Sequence, residues 1–310
     1  MPLIALSLSG LAIALTAAPA LAWDATGHEV VARIAWNAMS QTTRQRVIDL
    51  LERAPADSRI ADLEPNSGPR TVRDRTFFSL ASTWADAASR SQGSDAPAKG
   101  YGHPNWHYIN IAWSRTAAGR AVADTFIRAN EPNVVERLAA LERSVVDPAR
   151  PASQRAVDLA WILHLVGDVH QPLHASTFVS AEFPDGDRGG TRVRLRHGTL
   201  HSWWDHALTD GDRRRQNESR DDYIERVANA IAERYPRAAL AAVVEDARPI
   251  AWARESLETA EDSVYTSEVV PFGKPPAAYR QRTTRTAELR CALAGYRLAA
   301  LLDQLFGSAR

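Results

Sequence analysis

Two pairs of residues stand at i, i+4 spacing in stretches of helical periodicity: His164 with Asp168, and His201 with Asp205. That spacing puts both side chains on one helical face, about one turn apart. Imidazole and carboxylate are ordinary zinc ligands, so each pair could supply half of a metal site. One such pair reads equally well as a surface ion pair or a core histidine with its hydrogen bonds met. Two pairs, with His170 and His174 flanking Pro172, are harder to read that way. Asp168 sharpens the case. It follows Leu159, Ile162, Leu163, Leu165 and Val166, and no Lys or Arg lies near it in sequence. A carboxylate in such a helix is costly unless it is paired or bound to metal. More candidates lie upstream: Asp86 after Ser82-Thr83-Trp84-Ala85, His107 within Asn105-Trp106-His107-Tyr108, and His28 five residues after Trp23.

These side chains must be positioned by helices. Thr26-Gly27-His28-Glu29 has the pattern of a capping box ahead of Val30, Val31 and Ile34. Further helices are expected over Thr42–Glu52, Asp74–Ser89, Asn133–Val145, Ser153–Val169, His201–Leu208, Arg220–Tyr235, Ala251–Ser263 and Ala277–Phe306. Pro172 must end the Ser153–Val169 helix. Asp57–Arg73, Ser91–Pro104 and Phe178–Gly190 read as loops. Val193 and Leu195 alternate with Arg192, Arg194 and Arg196, which predicts one short strand. With no internal repeat and no clear linker, the expected fold is all-α: a single compact multi-helix domain with long loops and at most a short β-hairpin.

Composition sets outer bounds. The chain has 310 residues, with Lys+Arg and Asp+Glu at 37 each and 45% hydrophobic residues. That excludes disorder as the main state and argues against a basic nucleic-acid coat protein. One cysteine excludes an intramolecular disulfide framework. Residues 1–22 carry no charge and end Ala20-Leu21-Ala22, an A-x-A cleavage pattern. They read as a secretory signal peptide, although no Lys or Arg precedes the apolar run. An uncleaved anchor is the alternative, since about 20 apolar residues span a bilayer; Pro19 and the small residues favour cleavage. Residues 23–310 would then form the domain, secreted or periplasmic, with Cys291 a small buried residue of the last helix. Cleavage would also free the α-amine of Trp23, a competent nitrogen ligand once metal binding deprotonates it.

In chain order, the residues Trp23 with Gly27-His28, Thr83-Trp84-Ala85-Asp86, Trp106-His107-Tyr108, the block His164-x3-Asp168-x-His170-Gln171-Pro172-x-His174, Asp187-Arg188-Gly189-Gly190, Leu200 to Asp205 and Ala294 to Ala299 resemble the zinc-dependent single-strand nucleases and 3′-nucleotidases, relatives of bacterial zinc phospholipase C. The resemblance covers nearly all of residues 23–310. It implies three zinc ions per chain. One would be held by Asp86, His107, His164 and Asp168. A second would be held by His174, His201 and Asp205. The third would take the Trp23 amine and carbonyl, His28, and Asp168 as a bridging ligand. By implication His103, His170, His197 and His206 are not ligands.

The short gap from Trp23 to His28, and Asp205 as the last carboxylate, resemble the nuclease branch rather than the phospholipases. The implied activity is a secreted endonuclease and 3′-nucleotidase that hydrolyses phosphodiester bonds of RNA and single-stranded DNA to 5′-phosphate products and also takes 3′-nucleotides as substrates. The alternative is a phospholipase C-like phosphodiesterase acting on phospholipid head groups; a zinc-binding protein without catalysis is a third reading. The resemblance also implies base stacking on Tyr108, for which a half-buried core tyrosine is the plain alternative. Asn110 stands where many relatives carry Asp; it can hydrogen-bond a water but cannot take its proton. Thr191 stands where Asn is usual.

Overall fold

The computed structural model describes residues 23–90, 98, 100–116, 119–126, 132–209 and 213–307. The expected signal peptide and most of the Ser91–Pro104 loop lie outside the described residues. Eleven α-helices are described: α1 (Ala25–Ala38), α2 (Gln41–Leu51), α3 (Arg70–Ala81), α4 (Trp84–Arg90), α5 (Val134–Ser144), α6 (Ala152–His170), α7 (Leu200–Asp205), α8 (Arg220–Arg234), α9 (Ala241–Val244), α10 (Pro249–Thr259) and α11 (Ala277–Phe306). The all-α expectation holds. One small sheet is attached, of order β2-β1-β3, from β1 (Ile111–Thr116), β2 (Gly119–Phe126) and β3 (Ser176–Phe178). β1 pairs antiparallel with β2 and parallel with β3. No helix among the described residues is long and apolar enough to cross a membrane.

α6 is the centre of the molecule. From Ala156 to His170 every residue is buried. Its apolar residues run all round the helix rather than along a stripe, the pattern of a helix enclosed by others. α1, α2, α5, α10 and α11 pack against it. Each fully buried Leu or Ile of this helix contributes about 1.5–3 kcal/mol. Pro172 stops it as expected, with Gln171 already extended. α1 lies along α11 closely enough that a Cβ on Gly295 would sit 2.6 Å from Ile34 Cβ. α8 is tied to α1 by Arg33, which pairs with Asp221 and Glu225, and by Arg220, which pairs with Glu29. Cys291 is buried on α11, as expected.

Three local expectations are corrected. The cap of α1 is Asp24, whose carboxylate accepts from Gly27 N–H at 2.9 Å; no capping box forms at Thr26. The helix expected over Asp74–Ser89 is two helices. The hydroxyls of Ser82 and Thr83 take the carbonyls of Ser79 and Leu80, and the helix breaks there. No strand forms at Val193–Leu195. Val193 and Leu195 are buried and the flanking arginines exposed, but the segment makes a single bridge, Arg194 with Thr199. Alternation reported the burial correctly and the ladder wrongly, because the neighbouring backbone at Gly198–Leu200 and Phe272–Gly273 offers isolated bonds rather than a strand.

Candidate metal centre

Eight of the nine expected ligands converge through their side chains. Three groups have ligand atoms all within 4.8 Å of one another: His28, His164 and Asp168; Asp86, His107 and His164; and His174, His201 and Asp205. All eight residues are buried. α6 supplies the middle, with His164 and Asp168 one turn apart. α1 brings His28, α4 brings Asp86, and the turn Pro104–His107 brings His107. The turn Pro172–His174 brings His174, and α7 brings His201 and Asp205.

Asp168 is the hub. Its Oδ1 lies 3.4 Å from His28 Nε2 and 4.0 Å from His174 Nδ1. Its Oδ2 lies 2.9 Å from His107 Nδ1 and 3.2 Å from His164 Nε2. His164 Nε2 is also 3.5 Å from Asp86 Oδ1, and His201 Nε2 is 3.7 Å from Asp205 Oδ1. Two ligand atoms on one tetrahedral zinc, each bonded at about 2.0–2.2 Å, stand about 3.3–3.6 Å apart. The observed separations, from 2.9 to 4.0 Å, bracket that value.

The imidazoles are oriented from behind. His164 Nδ1 donates to the Ser82 carbonyl, His174 Nδ1 to the His107 carbonyl and His201 Nδ1 to the Gly189 carbonyl, each at 2.7 Å. A carbonyl can only accept, so in each ring Nδ1 carries a proton and Nε2 is the nitrogen turned to the cluster. This is how metal-binding histidines are held. The break between α3 and α4 leaves the Ser82 carbonyl available for this role. His107 faces the cluster with Nδ1 instead, and its Nε2 meets Ser89 Oγ at 3.0 Å. Gly189 has φ +59°, and a Cβ there would lie 2.3 Å from the Leu173 carbonyl oxygen, so the turn that offers its carbonyl needs glycine.

The electrostatics describe a site with surplus negative charge. Burial alone would depress His164, but Asp168 and Asp86 outweigh it and raise its pKa to about 9. Burial would raise Asp168, yet His164 and His107 hold it well below the usual carboxylate range. Asp205 is pushed well above that range by burial, against the hydrogen bond from Gln171 and reinforced by Asp86, Asp24 and Asp168. His28 is pulled far down by burial and by His164, whose ring it stacks at 3.9 Å. Both His28 nitrogens and Asp168 Oδ1 are buried without a hydrogen-bond partner. Buried polar atoms in that state cost free energy that a cation between them removes. The residues therefore fit a cluster of divalent cations.

The other expected residues are placed as follows. Trp23 is fully buried against Gly27, and the next peptide, Asp24 N–H, donates to the Asp205 carbonyl at 3.0 Å. The start of the described chain thus passes beside α7. Tyr108 and Asn110 are half-buried, and Tyr108 OH donates to Asn105 Oδ1. Of the histidines set aside, His197 and His206 are exposed and His103 stacks on Trp106. His170 is buried, donating to the Val166 carbonyl and meeting Arg297 at 2.9 Å.

Residue types alone did not reveal the supporting partners. Gln171 Nε2 donates to Asp205 Oδ1 at 2.8 Å while its Oε1 accepts from Leu173 N–H. Its place between two histidines and before a proline was the only available signal. Ser89 lies three residues after Asp86, on the same face of α4. The carbonyls of Ser82, His107 and Gly189 carry no side-chain signature at all. Arg290 Nε donates to the His170 carbonyl and, with Arg297 and Glu255, secures the end of α6.

The S1/P1 Nuclease family model matches residues 23–307 of this chain. No curated protein matches it.

Proposed function

The chain belongs to the S1/P1 nuclease family, so it is a nuclease acting on nucleic acids, and from that premise we propose a secreted, zinc-dependent endonuclease and 3′-nucleotidase. It hydrolyses the phosphodiester bonds of RNA and single-stranded DNA to 5′-phosphate products, and 3′-nucleotides to nucleosides and inorganic phosphate. The observation that carries this reading is the Asp168 carboxylate. One oxygen faces His28 and the other faces His107 and His164, as a ligand shared by two metal sites would. Three zinc ions are assigned. Asp86, His107, His164 and Asp168 hold one, and His174, His201 and Asp205 hold another. His28, Asp168 and the α-amine and carbonyl of Trp23 hold the third, after cleavage of residues 1–22.

Zinc bound there lowers the pKa of a coordinated water from 15.7 to about 7 and offsets charge on phosphoryl oxygens. The protein's own groups do the rest. The carbonyls of Ser82, His107 and Gly189 keep the Nε2 lone pairs of their histidines aimed inward. Gln171 holds the Asp205 carboxylate. Asn110 donates a hydrogen bond to orient the attacking water; being an amide, it takes no proton. Tyr108 follows a ligand directly and offers a face for base stacking, worth about 1–3 kcal/mol per base.

The test is product analysis of the protein beginning at Trp23, incubated with single-stranded DNA or RNA, with and without a chelator. Chelator-sensitive release of 5′-phosphate ends is the expected result. Release of 3′-phosphate ends would overturn the product assignment. Absence of cleavage by the zinc-loaded protein, with hydrolysis of phosphatidylcholine, would replace the nuclease reading by the phospholipase one.

A further inference from the structure

A cavity of about 330 Å³ lies beside the Trp161 and Trp106 rings and takes no part in the reaction scheme above. Its walls come from the Pro104–His107 turn, α5 and the first half of α6. They include Tyr101, His103, Trp106 and Trp161 together with Arg137 and Arg150. The volume sits at the lower end of the range for small-molecule sites, about 300–1,000 Å³.

The aromatic and cationic groups are arranged in a specific way. His103 stacks on Trp106 with ring centroids 3.6 Å apart and planes 8° from parallel. The Arg137 guanidinium lies 3.7 Å from the same indole. Two groups that close to one ring occupy opposite faces, so Trp106 is sandwiched and Arg137 is held flat. Burial pulls the Arg137 pKa down. Among the described residues its side chain makes no hydrogen bond or ion pair, and Nε is buried without a partner. Arg150, by contrast, is committed to Asp158, with Nε 2.8 Å from Oδ2. The half-open cavity therefore presents one stacked guanidinium whose N–H fork makes no hydrogen bond, between aromatic walls; the Asp158 carboxylate, paired with Arg150, also lines it and its charge acts on Arg137. A stacked, planar fork is suited to a phosphate. Aromatic walls take a planar ring with little regard to its sequence identity. Gln154 at the rim supplies an amide for the edge of such a ring.

We propose that this cavity is a second nucleotide site, which binds a nucleoside 5′-monophosphate with its phosphate on Arg137 and its base against the aromatic wall. The choice of ligand rests on the nuclease reading, because a 5′-mononucleotide is the smallest product of that reaction; the cavity itself does not. The site backs onto the metal centre. Trp106 precedes His107, Trp161 lies one turn before His164, and the rings of His107 and Trp161 are 5.4 Å apart. Occupancy would press on the histidines of one metal group from behind.

The test is calorimetric titration of the zinc-reconstituted chain with 5′-AMP, alongside adenosine and inorganic phosphate. Two sites are expected for the unsubstituted protein, one at the metal centre and one in the cavity. R137Q should lose the second or weaken it at least ten-fold. R137K, which keeps the charge but not the planar fork, should also weaken it, and guards against a folding defect in R137Q. Circular dichroism melts check both variants. Identical stoichiometry and affinity in all three proteins would overturn the proposal, as would a single site in the unsubstituted protein. Inorganic phosphate binding the Arg137-dependent site as tightly as 5′-AMP would overturn the nucleotide assignment. Failure of the same preparation to cleave any nucleic acid, with Arg137-dependent 5′-AMP binding intact, would sink the nuclease reading and leave the site standing.

Discussion

His28 Nε2 and Asp168 Oδ1 face each other across 3.4 Å, both buried, and neither has a hydrogen-bond partner. They come from helices far apart in sequence, and α6 brings a glycine, Gly167, up to the same imidazole. Two polar atoms left unbonded this deep in a core need a third party. The separation is that of two ligands on one zinc ion.

On the bridging assignment proposed above, Asp168→Ala removes a ligand from two metal sites at once. Elemental analysis should show the loss of more than one zinc per chain, and phosphodiester hydrolysis should fall by several orders of magnitude. Full zinc content with near-normal turnover would refute the bridging assignment.

Gly167→Ala tests the packing of the same pair without touching a ligand. A Cβ at Gly167 would lie 2.8 Å from His28 Nδ1. The ring cannot retreat freely, since it already stacks on His164. The variant should be less stable by about 1–3 kcal/mol and should carry less zinc in the group containing His28. A thermal melt read together with the zinc content would detect both effects; an unchanged metal content would show that His28 is not a ligand.

Gln171→Leu leaves the buried Asp205 carboxylate without its amide donor and the Leu173 N–H without its acceptor. The expected cost is about 1–3 kcal/mol of stability. Zinc affinity should fall about 10–100-fold, the usual effect of losing a partner that orients a ligand. Competition against a chromogenic chelator measures it.

Tyr108→Ala should raise KM for nucleotides more than for a simple aryl phosphodiester, because only the former offers a base to stack. Equal losses on both substrates would assign Tyr108 to packing.

Acid stability should depend on Glu255. Burial works to raise its pKa, but the hydrogen bond from Arg297 and the charges of Arg290 and Arg297 win and hold it below its ordinary 4.5. The folded state therefore binds the proton less readily than the unfolded chain. The stabilisation is fully present above about 4.5 and is lost as pH falls through the lower folded value. Glu255→Gln should be less stable at pH 7 by about 2 kcal/mol. That is less than the roughly 3–5 kcal/mol for breaking a fully buried pair, because the Glu255 side chain keeps 29% of its exposure. The difference from the unsubstituted protein should shrink as pH falls below about 4.5 in denaturant melts; a constant difference would place the effect elsewhere.

Helices α5, α6, α8 and α11 were legible nearly to the residue. Each carries its signal locally, in 3.6-residue periodicity, the Asn133 cap or the Pro172 stop. The β1–β2 hairpin was not, nor was the strand pairing of Ser176–Phe178. A ladder depends on a partner strand that the local sequence does not name. The break at Ser82 was missed for a related reason: a hydroxyl that bonds backwards to a carbonyl looks, in sequence, like any tolerated helical serine.

The candidate ligands were legible because their chemistry resides in the side chains themselves, and because His164 with Asp168 and His201 with Asp205 are neighbours on one helical turn. The sequence by itself determined which groups could bind metal and which helix would carry the central pair. Only the tertiary structure decided that His28, Asp86 and His107 meet that pair and that Gln171 serves Asp205. It also decided which backbone carbonyls fix the imidazoles, and that Arg137 lies over Trp106 beside a half-open cavity. Those relations join residues tens to more than a hundred positions apart. They follow from how helices pack around α6, a property of the whole chain's burial rather than of any stretch within it.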